Sequence, residues 1–114
     1  MVRTASRSHS SAFARAGDPF WIEPGHDPGS YLVGGEMDIA AAEGLNKLTP
    51  PPGSTSVILD LNAVSTIESG AIQAILNLAS RIDRQLVIAR PSESVRTVLA
   101  IADAGGHAGI VIQD

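Results

Sequence analysis

Ser69 stands where one kind of pattern gives way to another. Before it lies the apolar run Val57, Ile58, Leu59 and Leu61, interrupted by Asp60; after it Ile72, Ile75, Leu76 and Ala79 recur at helical spacing. A hydroxyl at such a helix start can do two things. It can cap free backbone N–H groups, or it can accept a phosphoryl group that those donors and the positive end of the helix dipole would hold. Asp38 precedes another apolar stretch and has the same capping chemistry. Asp60, inside its apolar run, reads as a sheet-end acid or the partner of a nearby backbone donor, because a lone buried carboxylate is costly. His9, His26 and His107 share no metal-ligand spacing and read as solvated imidazoles. Trp21 beside Phe20 is an anchor at the core edge or, if exposed, a contact surface.

Catalysis by the chain itself finds little support. The residues around Ser69 do not form a G-x-S-x-G elbow, and Gly34-Gly35 and Gly105-Gly106 lack the spacing and the lysine of a nucleotide loop. We therefore expect no enzyme, no cofactor and no metal.

The elements that must position these groups alternate along the chain. Phe20 to Ile22 predicts a short edge strand, Pro24 to Gly29 a turn, and Tyr31 to Gly34 a second strand. Asp38 caps a helix through Ala40, Ala41, Ala42, Leu45 and Leu48 that Pro50, Pro51 and Pro52 must stop. Val57 to Leu61 is the third strand, followed by a tight polar turn and a helix from Ser69 to about Arg84. Leu86 to Ala89 is the fourth. Ser92 or Ser94 caps a helix with Val95, Val98, Leu99 and Ala102 on one face, Gly105 and Gly106 end it, and Ile110 to Ile112 is a last strand. Strands separated by helices imply right-handed crossovers and an α/β fold with a mixed, mostly parallel sheet.

At 114 residues the chain has room for one domain, and with few aromatics its core must be Ile, Leu, Val and Ala. It has no cysteine, which excludes disulfides and thiolate metal sites and is compatible with a reducing compartment. No apolar run approaches the roughly 20 residues of a membrane span. The first 17 residues contain Arg3, Arg7 and Arg15 and no acid, so they carry +3, whereas five basic and twelve acidic residues give the remainder −7. An acidic body argues against direct nucleic-acid binding. The segment 1–17 superficially fits a transit peptide, but its composition is that of a flexible tail, which leaves 18–114 as the domain.

Four segments, in order, resemble one family. Gly35-Glu36-Met37-Asp38 resembles its GELD turn, Leu59-Asp60-Leu61 its DL strand, Ile67-Glu68-Ser69-Gly70-Ala71 its D-S-S/T-G segment, and Pro91-Ser92, Val95-Arg96 and Val98-Leu99 its third helix. The chain looks like a STAS domain of the kind found in bacterial anti-anti-sigma factors (anti-sigma factor antagonists), over about Phe20 to Ile112. The resemblance implies a cytoplasmic bacterial protein, a monomer or weak homodimer, that binds an anti-sigma factor which is also a serine kinase and so frees a sigma factor for transcription. Phosphorylation of Ser69 would end that interaction, and a metal-dependent serine phosphatase would restore it. Asp38, Glu68, Ser69, Gly70 and Ile72 would form the partner surface.

Two features depart from the family pattern. Glu68 stands where the family has Asp, and Gly70-Ala71 replaces the usual second Ser/Thr and Gly, so the turn has one hydroxyl; Gly70 also permits unusual torsions. Many relatives continue into a further helix after the last strand, so either one sheet face is less covered here or the N-terminal segment substitutes. The alternative to the switch is a constitutive STAS-like interaction or assembly module. An exposed Ser69 beside Asp38 favours the switch; a Ser69 buried in a cap hydrogen bond, or a homodimer covering that turn, favours the module.

Overall fold

In the computed structural model, which describes residues 18–102, 106–107 and 109–113, the run from Val57 is the centre of a five-stranded sheet. The strands are β1 (Trp21–Pro24), β2 (Ser30–Met37), β3 (Ser56–Ile67), β4 (Gln85–Ala89) and β5 (Ile110–Gln113), lying in that order across the sheet. β1 pairs antiparallel with β2; every other pair is parallel. The helices are α1 (Ile39–Asn46), α2 (Ser69–Arg81) and α3 (Glu93–Ile101). The fold is thus the expected α/β arrangement.

Because each crossover moves to the adjacent strand in one direction, right-handed connections place all three helices on the same face. The core bears this out. Val57 and Leu59 of β3, Leu86 and Ile88 of β4, Ala41 and Leu45 of α1, Ile75 and Leu78 of α2, and Val95 and Leu99 of α3 form one buried cluster. The opposite face, to which Leu32, Ile58 and Val87 alternate, is covered by no helix among the described residues.

β3 runs six residues beyond the expected Val57 to Leu61, and the expected polar turn is strand up to Ile67. Its buried positions step by two through Val57, Leu59 and Leu61, then by three to Val64 and Ile67. The cause is two irregularities in its pairing with β2, each giving β3 an extra residue: Leu32 faces Asp60 but Gly34 faces Ala63, and Gly35 faces Val64 but Glu36 faces Thr66. β2 likewise extends through Met37, so the expected Gly35-Glu36-Met37 turn is strand. Gly34 and Gly35 are there for packing: a Cβ on Gly34 would collide with the Trp21 indole, and Gly35, at φ +79°, passes against the Pro19 carbonyl.

Helix ends follow their caps. Asp38 accepts from the Ala40 N–H at 3.0 Å and Ser92 from the Val95 N–H at 3.3 Å, both as expected. α2 stops at Arg81 rather than Arg84 because Asp83 adopts φ +54°, the left-handed conformation of a helix terminator. α3 ends at Ile101, with Ala102 exposed instead of on the buried face; the expected terminator Gly105 lies outside the described residues. Arg81 donates to the Leu48 and Leu45 carbonyls at 2.8 and 2.9 Å, and Arg84 to the Pro51 carbonyl at 2.9 Å and the Ser54 hydroxyl at 2.7 Å. These arginines fasten the far ends of α1 and α2 to the proline loop.

Candidate functional site

β2 and β3 are parallel neighbours that end together, with Met37 opposite Ile67. The Glu68 N–H donates to the Met37 carbonyl at 2.9 Å, which carries the pairing one residue further. Asp38 and Glu68 therefore leave the sheet side by side, each at the N-cap of its helix. A strand-to-helix joint repeated on adjacent strands brings two helix N-termini to one edge, where their dipoles point the same way.

The two caps differ. The Asp38 carboxylate is short enough to turn back onto the Ala40 N–H, whereas Glu68 makes no side-chain cap; only its carbonyl engages the helix, accepting from the Ala71 and Ile72 N–H groups at 3.0 and 3.1 Å. Ser69 is consequently the first residue inside α2, not its cap, which corrects the capping role its position suggested. Its side chain is exposed, and its hydroxyl has no hydrogen-bond partner among the described residues. No general base is hydrogen-bonded to it among the described residues.

Gly70, the second residue of α2, is exposed and not among the glycines of positive φ; a Cβ built on it would meet nothing within 4 Å. Its value here is therefore not an unusual torsion, as its residue type suggested, but a bare helix start. Ile72 turns inward to 6% exposure within the core. The structure thus brings Asp38, Glu68, Ser69 and Gly70 to the surface of one edge and puts Ile72 beneath it. The charged side chains of these two strand-to-helix units at this edge are acidic: residues 18–46 and 56–80 contain no Lys or Arg, and Lys47, Arg81 and Arg84 sit at the opposite ends of the same helices.

One surface residue escaped the sequence reading. Ile39, the first residue of α1 and next to Asp38, is 76% exposed. The signal was present, since the buried phase of α1 runs through Ala41 and Leu45 and leaves Ile39 out of step.

The remaining candidates lie elsewhere. Asp60 accepts from the Asn62 N–H at 3.0 Å and pairs with Arg90 at 2.6 Å, so it has the expected backbone donor and a cation besides. That carboxylate, by hydrogen bond and then by charge, raises the Arg90 pKa above its ordinary value. Trp21 is half-buried against Gly34. His26 lies in the loop after β1 and pairs loosely with Asp27 at 3.7 Å, while His107 precedes β5. Among the described residues no three His, Asp or Glu side chains converge as metal ligands, and no helix is long and apolar enough to cross a membrane.

No curated protein matches the chain at a significant level. The family model of the STAS domain matches residues 22–107, from within β1 to just before β5, and so takes in both strand-to-helix joints and the exposed Ser69. A match over most of the 114 residues, on a chain with this strand order, shows that the protein belongs to the STAS domain family.

Proposed function

We propose that this protein is an anti-sigma factor antagonist: it binds an anti-sigma factor of the serine-kinase type through the edge formed by Asp38, Glu68, Ser69 and Gly70, and phosphorylation of Ser69 switches it off. STAS domains are generally interaction domains rather than catalysts. The observation that carries the switch is the exposed, unbonded Ser69 hydroxyl at the start of α2, next to the end of β2 that bears Asp38.

The chemistry follows from this placement. In the kinase complex the Ser69 Oγ attacks the γ-phosphorus of bound ATP, the bond from that phosphorus to the bridging oxygen breaks, ADP leaves, and the hydroxyl proton passes to a base of the kinase. The product group stays compatible with the fold, because the bare start of α2 offers N–H donors and the positive end of the dipole. It is incompatible with the complex. A kinase must hold nucleotide phosphates against Ser69, and a phosphoserine there adds about −1.5 to −2 charges facing them. A metal-dependent serine phosphatase then resets the protein by hydrolysis.

Incubation with ATP and a serine-kinase anti-sigma factor, followed by mass spectrometry, tests the assignment. We expect one phosphoryl group, on Ser69. A site confined to Ser92, Ser94 or the serines of 1–17 would remove Ser69 from the function. The Glu68 and Gly70 departures favour a second reading, a constitutive interaction or assembly module, and a kinase that binds the protein yet leaves Ser69 unmodified would select it.

A further inference from the structure

The described residues include three exposed large apolar side chains, Leu32, Ile39 and Ile101, and Ile39 is the one that adjoins Asp38 at the edge bearing Ser69. Isolated surface apolar residues are ordinary and need no explanation by themselves. Ile39 differs in its setting. As a β-branched residue at the first position of α1 it contributes neither capping nor core burial, since the cap is Asp38 and the buried phase begins at Ala41. Within residues 18–46 and 56–80, which build this joint, the chain supplies Glu36, Asp38 and Glu68 and no Lys or Arg, because the basic residues of α1 and α2 among the described residues are gathered at the other end. A protruding aliphatic group bordered by carboxylates, next to a helix start left bare by Gly70, is complementary to an apolar pocket rimmed by Arg or Lys.

We propose that Ile39 is the apolar anchor of the partner surface, and that the partner receives it in an apolar pocket bordered by basic side chains. This rests on the reading that the Ser69 edge faces a protein partner, and it adds a division of labour. Ile39 and the acids beside it determine affinity, while Ser69 determines whether that affinity is available.

The test titrates a purified serine-kinase anti-sigma factor encoded in the same genome against the parent, Ile39→Ser, Ile39→Leu, Ile101→Ser and Ser69→Asp, with thermal melts of each. Removing a buried isoleucine contact weakens binding by roughly tenfold or more, so we expect that loss in Ile39→Ser, near-parent affinity in Ile39→Leu and Ile101→Ser, and unchanged melts throughout. Added salt should weaken the parent complex, as a basic rim requires. Binding of Ile39→Ser within about twofold of the parent, on the scale where tenfold is one contact, overturns the anchor whatever Ser69→Asp does. A salt-independent affinity overturns the basic rim. Should Ile39→Ser lose binding while Ser69→Asp keeps it, the anchor stands and the phosphorylation switch falls. A parent that binds no such kinase overturns both.

Discussion

Ser69 separates binding from stability because it is inside α2 rather than at its cap. Ser69→Ala removes a hydroxyl without a partner, and alanine is the better helix former, so its stability should stay within about 0.5 kcal/mol of the parent. A true N-cap serine would cost about 1 kcal/mol on the same change. Ser69→Asp should also fold normally, with a carboxylate at a helix start worth roughly 0.3 to 1 kcal/mol. Partner binding should diverge. Ser69→Ala retains it but is no longer turned off by kinase and ATP, whereas Ser69→Asp loses most of it, because an added charge beside Asp38 and Glu68 must be desolvated or set against nucleotide phosphates. Denaturant melts and calorimetric titrations measure the two quantities independently, and equal affinity for Ser69→Asp and the parent would favour the constitutive module.

The joints between elements explain both what could be read from the sequence and what could not. α2 was legible because Ile72, Ile75, Leu76 and Ala79 keep a helical period, although Leu76 is only half-buried and the fully buried Leu78 completes that face, and Asp38 and Ser92 because capping is a local interaction. The second half of β3 was not. Its two extra residues against β2 break the alternation that marks a strand, and Asn62, Ser65 and Thr66 have the composition of a turn; what holds the stretch extended is the pairing of Ala63, Val64, Thr66 and Ile67 with residues about thirty positions away. The same long-range register sets Asp38 beside Glu68, so the residues of the site could be named from sequence while their juxtaposition rested on a resemblance. The end of α2 depends on a single left-handed residue, which suggests a direct test. Asp83 is exposed at φ +54°, and glycine adopts that conformation without strain. Asp83→Gly should raise stability by about 0.5 kcal/mol, the relief of left-handed strain less the extra entropy of glycine in the unfolded chain. Urea denaturation with an unchanged slope and a higher midpoint is the expected outcome, and a lower midpoint would mean that the Asp83 side chain holds the turn.

Across the whole molecule, charge and coverage are both lopsided. The helix-covered face carries a continuous aliphatic cluster drawn from every strand and helix except β1, and its buried leucines and isoleucines are the kind whose truncation to alanine costs about 2 to 5 kcal/mol, a large part of a domain's stability. The other face carries exposed Leu32, half-buried Ile58 and buried Val87, without a described helix above them. Residues 1–17, with +3 charge against a body of −7 and a single aromatic, Phe13, are a piece of chain that could interact with it. Charge of this kind attracts only within about 10 Å at 0.1 M salt and adds little at exposed sites, and the segment has no apolar periodicity with which to cover a sheet. Removing residues 1–16 should therefore leave the thermal midpoint within about 2 °C, a shift corresponding to less than about 0.5 kcal/mol for a domain of this size, and should leave partner affinity nearly unchanged. A fall of many degrees would place Phe13 or its neighbours against Leu32 and Ile58. Loss of affinity without loss of stability would instead make the basic segment part of the partner surface. It is rooted at Asp18, whose carbonyl accepts from the Glu36 N–H at 2.9 Å near the end of β2 that leads to Asp38.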